Sequence, residues 1–89
     1  MAAKKTLEKI VRGKSDANTS FSALQRVLQD LGFSERIRGT HHIFSRAGVE
    51  EILNLAPRGY MAKPYQVKLV RQVILKYQMG GEPDANTQV

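Results

Sequence analysis

The chain has 89 residues, 42% of them apolar, which suits one folded domain with a modest core and argues against both several domains and a wholly disordered chain. It has no cysteine, so disulfides and thiolate metal sites are excluded, and no apolar run approaches the ~20 residues of a membrane span. Fourteen Lys and Arg against 8 Asp and Glu give a formal charge of +6, a field that attracts polyanions, nucleic acid being the commonest.

In chain order, Lys4 to Arg12 predicts a helix, because Leu7, Ile10 and Val11 fall on one stripe. Gly13 is a natural stop. The charged start, Met1 to Lys5, is unlike the apolar core of a signal peptide, and a cytosolic protein is expected. Lys14 to Ser20 is rich in turn formers and reads as a loop. Phe21, Leu24, Val27, Leu28 and Leu31 mark a second helix. Ser20 or Ser22 can cap it, and Ser22 with Gln25 matches a capping box. Gly32 ends this helix, with Phe33 folding back on the last turn as in a Schellman motif.

From Ser34 the period changes. Strands are expected at Glu35–Arg38, His41–Arg46 and Glu50–Leu55, separated by a turn or bulge at Gly39-Thr40 and a turn at Ala47-Gly48, and closed by Pro57-Arg58-Gly59. Connections this short favour an antiparallel meander. A third helix opens near Pro64, with Val67, Val70, Ile74 and Tyr77 as its stripe, widened by Leu69 and Val73, and Gly80-Gly81 as its stop. Residues 82–89 are polar and expected to be disordered. Residues 1–81 then form one domain of order α-α-β-β-β-α, an α+β architecture in two layers.

Charge is unevenly placed. Between Ile52 and Gly81 there are five basic residues (Arg58, Lys63, Lys68, Arg71, Lys76) and no acidic one. Arg36, Arg38, Arg46, Arg58 and Lys63 could grip phosphates, or form a solvated face. Tyr60 and Tyr65 flank Met61-Ala62-Lys63-Pro64; stapling the third helix to the core is favoured over stacking on bases.

The candidates for chemistry are His41 and His42, since histidine can both take and give a proton near neutral pH. On a strand, His41, Ile43 and Ser45 share one side, and His42, Phe44 and Arg46 the other. Each side carries one histidine and one large apolar residue, so which side meets the core stays open. Adjacent histidines on a strand point apart and do not readily chelate one ion, and no metal is expected. The amides of Gly39 and Thr40 could bind a phosphate oxygen, or simply close a hairpin. There is no Gly-x-Ser-x-Gly elbow, no phosphate-binding Gly-rich loop and no cysteine nucleophile.

Four segments together resemble the HicA-type toxins of bacterial and archaeal toxin–antitoxin systems. They are the helix ending in Leu31-Gly32-Phe33, the run Arg36-Ile37-Arg38-Gly39-Thr40-His41-His42-Ile43-Phe44, then Ile52-Leu53-Asn54-Leu55, and Ala62-Lys63-Pro64-Tyr65-Gln66-Val67 opening a helix. The resemblance spans about Thr6 to Tyr77. It departs from the family at Thr40, where Ser is commoner, and at Ala56, where a polar residue is expected. It implies a fold like a double-stranded-RNA-binding domain, with helices on one face of a three-stranded antiparallel sheet and Lys4–Arg12 as an added helix. It implies a cofactor-free, metal-independent ribonuclease that cuts mRNA, and a HicB-type antitoxin as partner. The essential histidine maps onto His41, with His42 as second candidate, and Gly39, Thr40, Arg38, Arg36 and Lys63 are expected on RNA phosphates. Two rival readings are a non-catalytic RNA-binding module and an inactive toxin acting only through its antitoxin.

Overall fold

The computed structural model describes residues 2–79; the expected tail at residues 82–89 and the Gly80-Gly81 stop lie outside them. Helix α1 spans Ala2–Arg12 and packs against both other helices through Ile10, which is fully buried, with Leu7 and Val11 beside it. It is therefore part of the core and not an appendage. Its end is fixed by Gly13, whose φ of +73° lets its N–H reach the Lys9 and Ile10 carbonyls. Space is also tight here, since a Cβ would sit 3.3 Å from Arg71 Nη1 and the guanidinium would have to shift by a few tenths of an ångström. That guanidinium forks onto Asp16, at 2.8 Å and 3.1 Å, and donates to the Ile10 carbonyl at 3.2 Å. A cation thus sits at the negative end of α1 and ties it to the third helix.

Helix α2 spans Phe21–Asp30. Its cap is Ser20, whose Oγ accepts the Ala23 N–H at 3.2 Å. The Ser22–Gln25 capping box does not form, since Ser22 already lies inside the first turn. At the other end Gly32 (φ +91°) bonds the Gln29 carbonyl and Phe33 bonds that of Leu28, both at 3.0 Å, which is the expected Schellman motif with Phe33 buried.

Strands β1 (Ser34–Arg38), β2 (His41–Ser45) and β3 (Leu53–Leu55) form an antiparallel sheet in sequence order. Arg38 pairs with His41 across the loop Gly39-Thr40. Gly39 has φ +60° and Thr40 a negative φ, the pattern of a type II′ hairpin turn. Strand β3 is shorter than expected because Glu50 and Glu51 go elsewhere. The Glu50 N–H donates to Tyr77 Oη at 3.1 Å, and the Glu51 carboxylate accepts from Lys76 Nζ at 2.8 Å and Tyr77 Oη at 2.7 Å.

The Lys76 ammonium, the Tyr77 hydroxyl and its own backbone amide hold the Glu51 carboxyl down to about 2, below its ordinary 4.5. A carboxyl depressed in the folded state stabilises it above the unfolded pKa, and that contribution is lost as pH falls through the folded pKa. The clamp is therefore complete above about pH 4.5 and lost toward pH 2. Glu51→Gln should flatten the fall of Tm with pH in this window, measured by thermal melts; an unchanged slope would remove Glu51 from the acid response.

Helix α3 spans Pro64–Lys76, with proline in its first turn and the Lys63 N–H donating to Gln66 Oε1 at 3.2 Å. It ends ahead of the glycines expected to stop it. Gln78 takes the left-handed conformation (φ +56°), its N–H on the Leu75 carbonyl at 3.2 Å, and Met79 bonds Ile74 at 2.8 Å. The contact of Tyr77 with Glu51 lies at this end and anchors it.

Phe44, Leu53 and Leu55 from one sheet face meet Leu24, Val27 and Leu28 of α2 and Val67, Val70 and Ile74 of α3 in a single core. The helices cover that face and the opposite face is open. Among the described residues no helix is long and apolar enough to cross a membrane.

Candidate functional site on the open sheet face

Phe44 is fully buried, and this settles the two sides of β2: His42 lies on the core side and His41 on the open side. His42 Nδ1 is 2.7 Å from Glu35 Oε2, and its ring meets Phe21 edge-on with centroids 4.8 Å apart. Glu35 also accepts from Gln25 Nε2 at 2.6 Å and Gln29 Nε2 at 2.9 Å. Burial works against ionisation of Glu35, but the bonds from His42, Gln29 and Gln25 outweigh it and hold the carboxyl below its ordinary range. His42 is a strut joining the β1–β2 hairpin to α2.

His41 is exposed at the hairpin end, directly opposite Arg38. Its Nδ1 lies 2.8 Å from Asn54 Oδ1 on β3. An amide oxygen only accepts, so Nδ1 carries the hydrogen and the neutral ring presents its lone pair at Nε2. Nε2 has no hydrogen-bond partner among the described residues. A ring bonded at Nδ1 with Nε2 open to solvent is an arrangement a general base can use.

Asn54 is not among the site residues expected from the sequence. Its signal is there, since a polar residue between Leu53 and Leu55, both buried, must face away from the core. Arg36 pairs with Ile43, which pairs with Asn54, so Arg36, Arg38, His41 and Asn54 share the open face across three strands. Arg36 and Arg38 are exposed and have no acidic partner among the described residues. Gly39 and Thr40 are exposed at the hairpin tip beside His41, and a Cβ built on Gly39 would meet nothing within 4 Å. Lys63 precedes α3, where Gln66 Nε2 donates to the Ala56 carbonyl at 2.9 Å just past β3. That bond sets the start of α3 at the His41 end of the sheet.

Tyr60 and Tyr65 do not staple α3 to the core; they are 79% and 60% exposed. The buried places go instead to Ala62, Gln66 and Val67, and main-chain bonds hold the segment: Ala62 N–H to the Thr19 carbonyl and Phe21 N–H to the Tyr60 carbonyl, both at 2.9 Å.

A cleft of about 620 Å³ lies at the far end of β2, between Asp30, Leu31, Arg46, Val49, Tyr77 and Met79; it holds no histidine. Compared with known proteins, the chain matches no family model, no curated protein and no solved structure, so the functional reading rests on this geometry and on the motif it carries.

Proposed function

We propose that the chain is a ribonuclease toxin of the HicA type, with the sheet-and-helix arrangement of a double-stranded-RNA-binding domain and His41 as its base. The observation that carries this reading is the His41 ring, held at Nδ1 by Asn54 and, among the described residues, free at Nε2 and flanked by arginines without acidic partners.

In the proposed reaction Nε2 takes the proton of a ribose 2′-OH. The 2′-oxygen attacks the adjacent phosphorus and the 5′-oxygen leaves, giving a 2′,3′-cyclic phosphate and a 5′-hydroxyl. The departing oxygen takes a proton from imidazolium or water. Arg38 and the Gly39 and Thr40 amides stabilise charge on the phosphate oxygens, and Arg36 and Lys63 hold flanking phosphates. The step needs no metal. An antitoxin of the HicB type would silence the enzyme by covering the open face.

Expression of wild type and His41→Ala in a bacterial host, with growth and total mRNA followed together, tests this. Arrest with mRNA loss in the wild type alone supports it; arrest by both, or by neither with both proteins folded, rejects it. Binding without cleavage is the second reading, supported because, among the described residues, the open face offers no other imidazole or carboxylate as acid: His42 faces the core and Glu35 with it.

Asn54 gives a finer prediction. Asn54→Ala should slow cleavage about tenfold by freeing the ring to turn, less than the ~10²- to 10⁴-fold worth of the base itself. Asn54→Asp sets an anion against Nδ1 and should move the base limb of the pH–rate profile to higher pH. A profile identical to wild type in both variants would show that Asn54 does not act through His41.

A further inference from the structure

Two tyrosines set out in water are the largest aromatic surface the fold leaves uncovered. Tyr60 stands on a tight turn at Gly59 (φ +60°), closed by reciprocal main-chain bonds between Arg58 and Met61 at 2.8 Å and 3.0 Å. Its carbonyl is pinned by the Phe21 N–H, and the Phe21 ring touches His42, the neighbour of His41. Tyr65 lies in the first turn of α3, next to Gln66, whose side chain is bonded to Ala56 at the end of β3. Both rings are therefore carried on bonded backbone on the helix side of the sheet, at the end where His41 stands on the other face, so little order has to be created for them to bind.

Their surroundings are cationic. Arg58, Lys63 and Lys68 have no acidic partner among the described residues, and no acidic residue occurs between Ile52 and Met79. Lys68 follows Tyr65 by three positions, one turn along the same helix face. Aromatic faces among unpaired cations suit a ligand with both π-surfaces and phosphates. A duplex hides its base faces in the stack, whereas a single strand offers them.

We propose that Tyr60 and Tyr65 form a base-stacking subsite for unpaired RNA at the same end of the sheet as His41, so that the substrate is single-stranded and not duplex. This rests on the ribonuclease reading for the identity of the polymer, and the test separates the two. The His41→Ala protein, which keeps RNA intact during the measurement, is titrated by fluorescence anisotropy with a labelled RNA of about 12 nucleotides, with its duplex, and with polyphosphate as competitor. The single strand should bind more tightly than the duplex. Tyr60→Ala and Tyr65→Ala should each weaken single-strand binding by about 5- to 100-fold, the range of a lost base stack. Phe at either position should retain affinity, polyphosphate competition should not change, and the salt slope should stay the same because no phosphate contact is lost.

Equal binding of duplex and single strand, or unchanged affinity in both alanine variants, overturns the subsite; a loss confined to an acidic protein partner would do so as well. If wild type binds RNA through the tyrosines yet never cleaves it, the subsite stands and the ribonuclease reading falls. If cleavage proceeds normally in both alanine variants, the ribonuclease reading stands and the subsite falls.

Discussion

His41→Ala should cut RNA cleavage by about 10²- to 10⁴-fold, the usual worth of a general base, and leave the melting temperature nearly unchanged. The imidazole is exposed and makes one hydrogen bond, to Asn54, itself exposed, so its removal opens no cavity and strands no buried polar group. His42→Ala should do the reverse. It takes away the bond to the Glu35 carboxylate and the edge contact with Phe21, leaving a half-buried anion served only by two glutamine amides. That protein should melt lower and keep whatever activity its folded fraction retains. Initial rates on a labelled RNA, corrected for folded fraction, separate the two histidines. A His41→Ala enzyme with wild-type rate and products ends the assignment.

The second large effect is on stability. Phe44→Ala should cost about 3–5 kcal/mol, the usual range for truncating a buried phenylalanine. Phe44 is 0% exposed in the central strand and is the largest of the fully buried side chains. Domains have about 5–15 kcal/mol in total, so this loss is a large share of the stability and the variant should melt well below the wild type. The urea midpoint should fall with an unchanged slope, and cleavage should fall in parallel because β2 also carries His41. A loss under about 1 kcal/mol would mean that the helices close over the gap, and that Phe44 is not the tie between layers.

Much of the fold is legible in the sequence, for local reasons. The stripe of α2, the glycine turn ahead of Phe33 and the Gly39-Thr40 hairpin each depend on residues a few positions apart, and each stands as expected. What is not legible depends on distant partners. The two sides of β2 look alike in the sequence; the choice between them depends on Phe44 entering the core and on Glu35, whose other ligands, Gln25 and Gln29, come from α2. The start of β3 falls later than its strand formers suggest because Glu51 finds Lys76 and Tyr77 about 25 residues later. Tyr60 and Tyr65 are expected inside because rings of that size usually gain by burial, but Ala62 and Gln66 hold those places. Asn54 reads only as part of a motif, since its partner His41 lies 13 positions back on another strand.

The loop Gly39-Thr40 has a consequence of its own. Two chemically identical side chains stand back to back on β2, and nothing in their own chemistry makes one a half-buried strut and leaves the other open to water. What tells them apart is parity. With two residues in the turn, Arg38 faces His41 and Phe44 points inward. A slip by a single residue would reverse every side chain on the strand, exposing Phe44 and exchanging the two imidazoles. The hairpin thus behaves as a two-position selector, held in one setting by the aversion of a single phenylalanine to water.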